Sequence, residues 1–412
     1  MPPIRLLTFS TLFPNNARPN HGVFVENRLR HLVASGEATS EVVAPVPWFP
    51  SSHPWFGDWA VNARVVRREI RHGLTIRHPR FPVIPRFGMS LAPALLYRAM
   101  VPVVGRLIAE GPGSDVPRFD VPRFEVIDAH YLYPDGVAAV RLGQRFGLPV
   151  VLTARGTDVS LILRFARPRK LIQQAIEGAA AVIAVSAALK EALVEIGAPA
   201  SKVTVLRNGV DTALFCPPAD RAAARATLGF TRPTLISVGL LIERKGHHRT
   251  IEAMTKLPDF DLVIVGEGPE KDRLNALIAR LGVGERVRLL GPHPHAELPM
   301  LYGAADASVL SSSREGWANV LLESMACGAP VVASPIWGNP EVVRTPASGV
   351  ITRENSADGI AEGVRRLFAA MPMREATRAY AEPFSWDETT AGQLALFRRV
   401  IAQGATAKGA TD

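Results

Sequence analysis

Cysteine and long apolar runs are both scarce in this sequence. Only two cysteines, Cys216 and Cys327, occur in 412 residues, and no apolar run reaches the roughly 18 residues that span a bilayer. Two cysteines cannot build a disulfide framework, so we expect a reducing, cytoplasmic setting. The opening segment MPPIRLLTFSTLFP has a short apolar run and no small-residue cleavage site, so a signal peptide is not expected.

Acidic residues are also in short supply. The 38 Asp and Glu residues face 47 Lys and Arg residues, which gives a formal net charge of +9 at pH 7. This charge favours an anionic partner, such as a nucleotide, a nucleic acid or an anionic membrane surface. A nucleic-acid partner is not expected, because the sequence lacks a basic helix with interleaved aromatics, zinc-finger spacing and an RNP signature.

The basic residues of the first half concentrate in two segments, RVVRREIRH (64–72) and RFARPRK (164–170). These segments either form an ordinary solvated face or contact the inner face of an anionic plasma membrane peripherally. The apolar segment SLAPALLYRAMVPVVGRLIAEG (90–111) is either a core helix or a helix that faces a membrane or an acceptor. The sequence leaves both alternatives open.

Short apolar, β-branched runs alternate with longer helical patterns along nearly the whole chain. Buried strands between helices predict parallel sheets covered on both faces, and therefore two doubly wound α/β units. The Pro-containing stretch VDTALFCPPAD (210–220) separates the two series of strands. We therefore expect an N-terminal domain over 1–209, a second domain over 210–384, and a C-terminal helix and tail over 385–412.

The stretch SSSREGWANVLLESMACGAPVVAS (311–334) contains two glutamates, Glu315 and Glu323. On one helix they would point about 80° apart and lie about 12 Å apart along the axis, so they are not expected to form an acid/base pair. We expect Glu315 to lie in a loop and a helix to begin at position 318 or 319. The free amides at the start of this helix, from Asn319 to Leu321, would bind a phosphate, and Glu323 would bind a ribose diol. The alternative is a solvated Glu315 and a Glu323 that only favours the helix dipole.

Two further segments of the second half follow predicted strand ends. In SVGLLIERKGHH (237–248), Arg244 and Lys245 lie between a strand and a helix, where two cations suit a diphosphate. In VIVGEGPEKDRL (264–275), a G-x-G follows a strand, but the third glycine of the dinucleotide fingerprint is missing. We assign this second loop, with Glu267, to the base-binding pocket.

Together these segments resemble the retaining family 4 glycosyltransferases of the GT-B fold. The second half matches through SVGLLIERKG, VIVGEGPE, AADASVLSSSREGWANVLLESMACGAPVVAS and WGNPEVV. The first half matches more loosely, through FPNNARPNHGVFVENRLRHL, DAHYLYPDG, VLTARGTDV and VTVLRNGVD. The resemblance covers nearly the whole chain. It implies two Rossmann-like domains that face each other across a cleft, with the C-terminal helix crossing back to the first domain.

The resemblance also implies roles for individual residues. A nucleotide-diphosphate sugar would bind mainly to the second domain and the acceptor mainly to the first. The catalytic residues would be Glu315, which contacts the donor sugar, Lys245, which binds the diphosphate, and His130. The other donor-binding residues would be Gly22 in a glycine-rich loop beneath the phosphates, Glu323 at the ribose, and Arg244, Glu267, Gly316, Trp317, Ala318, Asn319, Val320 and Leu321. The acceptor side would be lined by His130, Arg155 and Asp158.

Two positions depart from the family pattern. Leu240 stands where the family usually has an arginine after the strand-end glycine, and the neighbouring Arg244 is expected to supply that charge. Arg155 stands where the family often has a histidine that organises the transferred sugar. These departures leave a catalytically silent nucleotide-sugar-binding protein open as an alternative, and the shared architecture leaves a sugar-nucleotide epimerase open as another.

The leading hypothesis is a retaining enzyme of polysaccharide or glycoconjugate biosynthesis. It would transfer a sugar to a glycan, a lipid-linked acceptor or a small molecule. We expect neither a cofactor nor a metal ion, because Lys245, Arg244 and the helix N-terminus at Asn319 would supply the positive field around the leaving diphosphate.

Overall fold

The computed structural model describes residues 2–84, 88–110 and 123–409, except for the side chains of Asp58 and 405–409. The chain divides into two compact units. Unit 1 comprises Met1–Arg207 together with Asp387–Asp412, and unit 2 comprises Asn208–Trp386. The domain limits expected from the sequence, 209 and 384, lie close to these unit limits, and the C-terminal helix belongs to unit 1.

Unit 1 is built on a large, mostly parallel sheet. Its strands are β1 (Ile4–Phe9), β2 (Ala38–Val43), β3 (Val46–Pro47), β4 (Arg68–Arg71), β5 (Leu74–Arg77), β6 (Arg80–Phe81), β7 (Val126–His130), β8 (Val150–Ala154), β9 (Ala181–Ala184) and β10 (Val203–Val205). Eight of them form one sheet in the order β10-β9-β8-β7-β1-β2-β5-β4, parallel except for the β4–β5 pairing. Strands β3 and β6 pair separately. The central strands β7, β8 and β9 are buried throughout, as expected for a sheet covered on both faces.

The C-terminal helix completes the core of unit 1. The helices of this unit are α1 (Val23–Ala34), α2 (Asp58–Arg64), α3 (Ala92–Ala109), α4 (Val137–Phe146), α5 (Thr157–Ser160), α6 (Ala166–Gly178), α7 (Ala187–Glu195) and α16 (Trp386–Gly409). Leu394, Leu396, Phe397 and Val400 of α16 pack in one apolar cluster with residues of β1, β2 and α1. Residues from the two ends of the chain therefore share one core.

Helix α3 corresponds to the apolar segment noted in the sequence. Among the described residues it is the one helix long and apolar enough to cross a membrane. Its buried residues recur every three or four positions: Pro93, Leu96, Met100, Val104 and Leu107. Arg98, Pro102 and Arg106 lie on the exposed face. The helix therefore packs one face into unit 1, against α4 among others, and leaves the opposite face to the surroundings.

Unit 2 contains a smaller sheet that is parallel throughout. Its strands are β11 (Thr234–Val238), β12 (Asp261–Val265), β13 (Val287–Gly291), β14 (Ala307–Leu310), β15 (Val331–Ala333) and β16 (Gly349–Ile351), in the order β13-β12-β11-β14-β15-β16. Its helices are α8 (Arg221–Leu228), α9 (His247–Ala253), α10 (Lys271–Arg280), α11 (Leu298–Ala304), α12 (Asn319–Ala326), α13 (Asn339–Val342), α14 (Ala357–Ala369) and α15 (Arg374–Ala381). The predicted pair of doubly wound α/β units is confirmed.

Phe397→Ala is expected to destabilise unit 1 by about 3–5 kcal/mol, because it empties a fully buried aromatic position of the core. Hydrogen exchange of the β1 and β2 amides measures the effect within unit 1 alone. The matched control is Arg399→Ala, two positions further along the same helix and exposed. Equal protection in the two variants would mean that α16 is not part of the cooperative core.

Candidate functional site

The predicted donor residues of unit 2 follow two neighbouring strands. Strands β11 and β14 pair in parallel, so the loops after them emerge at the same edge of the sheet. The loop after β11 carries Arg244 and Lys245, and the loop after β14 carries Glu315. The structure therefore brings Glu315 to Arg244 and Lys245, which precede it by about 70 residues in sequence.

Gly246 fixes the contact between these two loops. Its φ angle is +72°, and a Cβ atom at this position would lie 2.0 Å from the backbone oxygen of Ser311. The Ser311 hydroxyl donates to the Gly246 oxygen at 2.7 Å, and a second hydrogen bond of 2.9 Å joins this hydroxyl to that of Thr250. Only glycine allows the two backbones to approach so closely, and this approach sets Lys245 opposite Glu315.

Glu315 lies in an ion pair with Lys245. The Lys245 Nζ atom donates to Glu315 Oε1 at 2.7 Å, and the Ser312 hydroxyl donates to the same oxygen at 2.7 Å. The Arg244 Nη1 atom lies 3.7 Å from Glu315 Oε2. Burial alone would raise the pKa of Glu315, but the charges of Lys245 and Arg244 and the hydrogen bonds lower it below its usual value. Glu315 therefore stays ionised although it is only 9% exposed.

Helix α12 begins at Asn319, within the range predicted from the sequence. The amides of Asn319 and Val320 have no acceptor among the described residues, as expected for a helix N-terminus. The expectation of a third free amide was wrong: the amide of Leu321 donates to the oxygen of Ala318 at 3.1 Å, which tightens the first turn. Two amides, and not three, are available to an anion.

Gly316, Trp317 and Ala318 connect Glu315 to this helix, and all three are buried. The Trp317 ring lies 6.5 Å from the ring of Phe384, centroid to centroid. The Asn319 side chain accepts from the Asn208 amide at 3.2 Å. These contacts hold the connection in one conformation, so a ligand meets a preformed helix N-terminus.

Glu323 has different partners from Glu315. The Tyr302 hydroxyl donates to Glu323 Oε2 at 3.3 Å, and His295 Nε2 lies 3.2 Å from Glu323 Oε1. Burial and the charge of Glu323 raise the pKa of Tyr302 well above its usual value, so the hydroxyl keeps its proton and remains a donor. The Phe215 ring packs against the His295 ring at 5.0 Å. The two glutamates therefore belong to separate clusters, in agreement with the expectation that they are not an acid/base pair.

The loop after β12 contributes backbone contacts in place of a glycine fingerprint. A Cβ atom on Gly266 would lie 1.9 Å from the oxygen of Gly239, so this loop lies directly against the one that follows β11. The Leu241 amide donates to the Glu267 oxygen at 2.8 Å, while the Glu267 side chain is exposed. Leu240, at the position of the missing arginine, is 52% exposed. A role of Glu267 at the base stays a prediction.

In unit 1, three predicted residues lie at the ends of β7 and β8. The Arg155 Nη2 atom lies 2.6 Å from His130 Nδ1, and His130 Nε2 lies 3.1 Å from Asp128 Oδ2. Burial lowers the pKa of His130, so its ring is neutral, with Nδ1 accepting from Arg155 and the proton on Nε2 donated to Asp128. The Arg155 guanidinium lies 5.3 Å from the centre of the Phe24 ring. His130 thus orients Arg155 and is itself 1% exposed.

Asp158 was expected to line the acceptor side, but its surroundings in the structure are different. It is fully buried, and its carboxylate accepts from the amides of Leu132 at 2.9 Å, Arg155 at 3.1 Å and Gly156 at 2.7 Å. Both oxygens are used inside the protein. Asp158 therefore braces the loops after β7 and β8 and does not line an acceptor site.

Gly22 ends the loop that follows β1, immediately before α1. Its φ angle is +73°, and a Cβ atom would lie 2.4 Å from the oxygen of Leu12. The start of this loop is fixed by Asp135, whose Oδ2 atom accepts from the amide and the hydroxyl of Thr11 at 3.0 and 2.9 Å. Sequence reasoning missed Asp135, because nothing distinguishes a buried aspartate from an exposed one within DAHYLYPDG.

Throughout 2–84, 88–110 and 123–409, no group of three or more His, Cys, Asp or Glu side chains is arranged to hold a metal ion. Action without a metal stays a prediction.

Two family models together match most of the chain. The family described as Glycosyltransferase Family 4 matches residues 23–214, and the family described as Glycosyl transferases group 1 matches residues 220–383. The D-inositol 3-phosphate glycosyltransferase of Mycolicibacterium paratuberculosis is 34% identical over 219 residues, which is 50% of this chain and 49% of that protein. Its counterpart from Mycolicibacterium gilvum is 36% identical over 211 residues. The chain spans about half the length of the curated relatives it matches.

Solved structures resemble the chain over nearly its whole length. Sucrose-phosphate synthase from Thermosynechococcus elongatus has a TM-score of 0.77 and 21% identity, covering 97% of this chain and 100% of that one. Anabaena HepE in complex with UDP-glucose has a TM-score of 0.69 and 20% identity, covering 95% and 98%. At these identities the likeness shows the fold alone, and it confirms the predicted GT-B class.

Asp135→Asn is expected to remove a pH-dependent loss of stability in unit 1. Burial raises the pKa of Asp135 from 3.8 to about 7, so the folded state keeps a proton that the unfolded chain has released. The stability of the wild type therefore falls as the pH rises from about 4 to about 7, by up to about 1.4 kcal/mol per pH unit.

Urea unfolding of unit 1, followed by hydrogen exchange at several pH values, measures this slope. The difference in the free energy of unfolding between Asp135→Asn and the wild type should shift in favour of the variant as the pH rises from about 4 to about 7. The matched control is Glu191→Gln, an exposed carboxyl of the same unit. A difference between Asp135→Asn and wild type that does not change with pH would contradict the prediction.

Proposed function

The chain belongs to the family 4 glycosyltransferases, and we propose that it transfers a sugar from a nucleotide-diphosphate sugar to an acceptor hydroxyl with retention of configuration. One observation carries the proposal. In unit 2 the Lys245–Glu315 pair, with Arg244 beside it, lies in the loops after β11 and β14, and the loop after β14 leads to the N-terminus of α12. This site offers cations and amides to a diphosphate and a carboxylate to sugar hydroxyls.

The ion pair in the site suits a ligand that is itself an anion. A lysine ammonium has three donor protons, so Lys245 can keep one hydrogen bond to Glu315 and donate another to a phosphate oxygen. The free amides of Asn319 and Val320 add donors and the positive end of the helix dipole. Glu323, held by Tyr302 and His295, keeps acceptor capacity for the two hydroxyls of a ribose.

The reaction follows from these groups without a protein nucleophile. On one face of the sugar ring, the bond between the anomeric carbon and the diphosphate oxygen breaks while a bond to the acceptor oxygen forms. The acceptor proton passes to the departing diphosphate oxygen. Lys245, Arg244 and the α12 amides stabilise the charge that develops on the diphosphate, and positioning supplies the remaining rate enhancement.

In unit 1 we assign the acceptor side to Arg155, oriented by His130. An arginine, like a histidine, carries N–H groups of the kind that bind sugar and acceptor hydroxyls, and one of those of Arg155 bonds His130. The acceptor is a glycan, a lipid-linked molecule or a small molecule, and the enzyme acts without cofactor or metal. The two free cysteines support a cytoplasmic location in polysaccharide or glycoconjugate biosynthesis.

The proposal is tested first by ligand binding and then by turnover. HepE supplies UDP and UDP-glucose as first donor probes, with the GDP and ADP counterparts beside them, and the curated relatives supply D-inositol 3-phosphate as a first acceptor probe. A donor that binds should raise the thermal unfolding midpoint by mass action. Release of nucleoside diphosphate should then require acceptor, and the product should keep the anomeric configuration. Binding without acceptor-dependent release, or an epimerised donor, would overturn the proposal.

Lys245→Ala and Glu323→Ala are each expected to cost about 2–4 kcal/mol in kcat/KM, because the first removes a cation from the departing diphosphate and the second removes a hydrogen-bond acceptor from the ribose. Initial rates of diphosphate release measure the effect. Lys271→Ala is the matched control, since it removes an exposed lysine from the same unit. Turnover close to that of the wild type in either site variant would exclude that residue from the donor site.

A further inference from the structure

A second group of cations lies on the surface of unit 1. Phe165 is 45% exposed although it is a large aromatic residue. It is surrounded in sequence by Arg164, Arg167 and Arg169, which are all exposed. Between residues 159 and 176 the chain contains no aspartate or glutamate. An exposed aromatic side chain is thus set in a segment of purely positive charge.

Two more apolar side chains lie next to this segment. Met89 and Leu91 are 41% and 42% exposed and belong to the turn that precedes α3. The Tyr133 hydroxyl donates to the Met89 oxygen, and the charge of Arg167 acts on the same hydroxyl. Tyr133 therefore links the turn at Met89 to the start of α6, so the apolar and basic residues form one surface. We call it the docking surface; it consists of Met89, Leu91, Arg164, Phe165, Arg167 and Arg169.

The arginines of this surface differ from other arginines of unit 1 in their ion pairs. Elsewhere in unit 1 Arg71 pairs with Glu26 and Arg77 with Glu41. Within the part of the chain that the structure describes, none of the three docking-surface arginines lies within salt-bridge distance of a carboxylate. Two of them lie in the first turns of α6, where a positive charge opposes the helix dipole. Cations that oppose a helix dipole, and that have no carboxylate partner in the described ranges, favour an external anion.

The neighbouring helix α3 also presents basic and apolar side chains on its exposed face. From Ile70 to Ala109 the sequence contains no acidic residue. The outer face of α3 carries Arg98 and Arg106 between apolar positions, and long basic side chains of this kind place their charges in the headgroup region of a bilayer while their stems cover apolar surface.

We propose that the docking surface binds unit 1 peripherally to an anionic phospholipid membrane. Phe165, Met89 and Leu91 enter the boundary between headgroups and acyl chains, and the arginines meet lipid phosphates. A membrane fits better than a protein partner, because the exposed apolar side chains are set among exposed cations that match lipid phosphates. The inference concerns where the protein binds in the cell and not the reaction, so its test does not depend on the donor site.

Vesicle flotation without donor or acceptor tests the proposal. The wild type should float with vesicles of phosphatidylcholine mixed with phosphatidylglycerol, should bind phosphatidylcholine alone much less, and should be released as salt rises. The triple variant Arg164→Gln, Arg167→Gln and Arg169→Gln should lose at least about tenfold in vesicle affinity. Phe165→Ser should weaken binding in the same direction while leaving the salt dependence in place.

Matched controls separate this surface from the general positive charge of the protein. The variant Lys271→Gln, Arg273→Gln and Arg280→Gln removes three exposed cations from unit 2, and Met373→Ser removes an apolar residue of unit 2 that is 74% exposed. Both controls should float like the wild type, and all variants should keep the wild-type unfolding midpoint.

Three results would overturn the proposal: no flotation of the wild type with the anionic vesicles, equal losses in the unit 1 and unit 2 triple variants, or unchanged binding of Phe165→Ser. Binding to a single-stranded RNA oligomer in place of vesicles would identify a different class of partner. Because no substrate is present, none of these results bears on the glycosyl-transfer assay.

Discussion

The contact between the Gly246 backbone and the Ser311 oxygen is the constraint on which the unit 2 site depends. It joins the loops of two adjacent parallel strands at a distance that no side chain could tolerate. With the loops in this position, Lys245 reaches Glu315, and the charge on Glu315 survives its burial only because Lys245 and Arg244 lie close to it. The charges of the site therefore balance one another before a ligand binds. Lys245 can donate to an anionic ligand while it keeps its hydrogen bond to Glu315, so no buried charge is left unpaired.

Much of this arrangement was predictable from sequence, for identifiable reasons. Continuous apolar strands between helical patterns give a strong signal for parallel sheets, and both units follow it. Lys245 and Glu315 follow strands that are neighbours in the sheet. It was the resemblance to the family 4 glycosyltransferases that assigned both residues to the donor site. The start of α12 was also predictable, because a single helix through Glu315 and Glu323 would point the two carboxylates in different directions. The bond from the Leu321 amide to Ala318 was not, since the tightness of a first turn depends on packing.

The residues that sequence reasoning missed are those whose meaning depends on a distant partner. Tyr302 and His295 become relevant only when α11 and the turn before it lie against α12, where both meet Glu323. Asp158 illustrates the opposite error: a polar residue after a strand end looks like a ligand contact, but here three backbone amides use its carboxylate. Arg155 was noticed as a departure from the family, and only the structure reveals that His130 and Asp128 form the chain of hydrogen bonds that orients it.

The packing of α16 against β1, β2 and α1 has a consequence for how the protein is made. Synthesis proceeds from the N-terminus, yet the core of the first unit includes Leu394, Phe397 and Val400 near the end of the chain. The second unit is a continuous segment, Asn208–Trp386, and has all its residues before α16 leaves the ribosome. The order of synthesis is therefore opposite to the order in which the cores are completed. The first half of the polypeptide is made first but is the last to acquire its complete core.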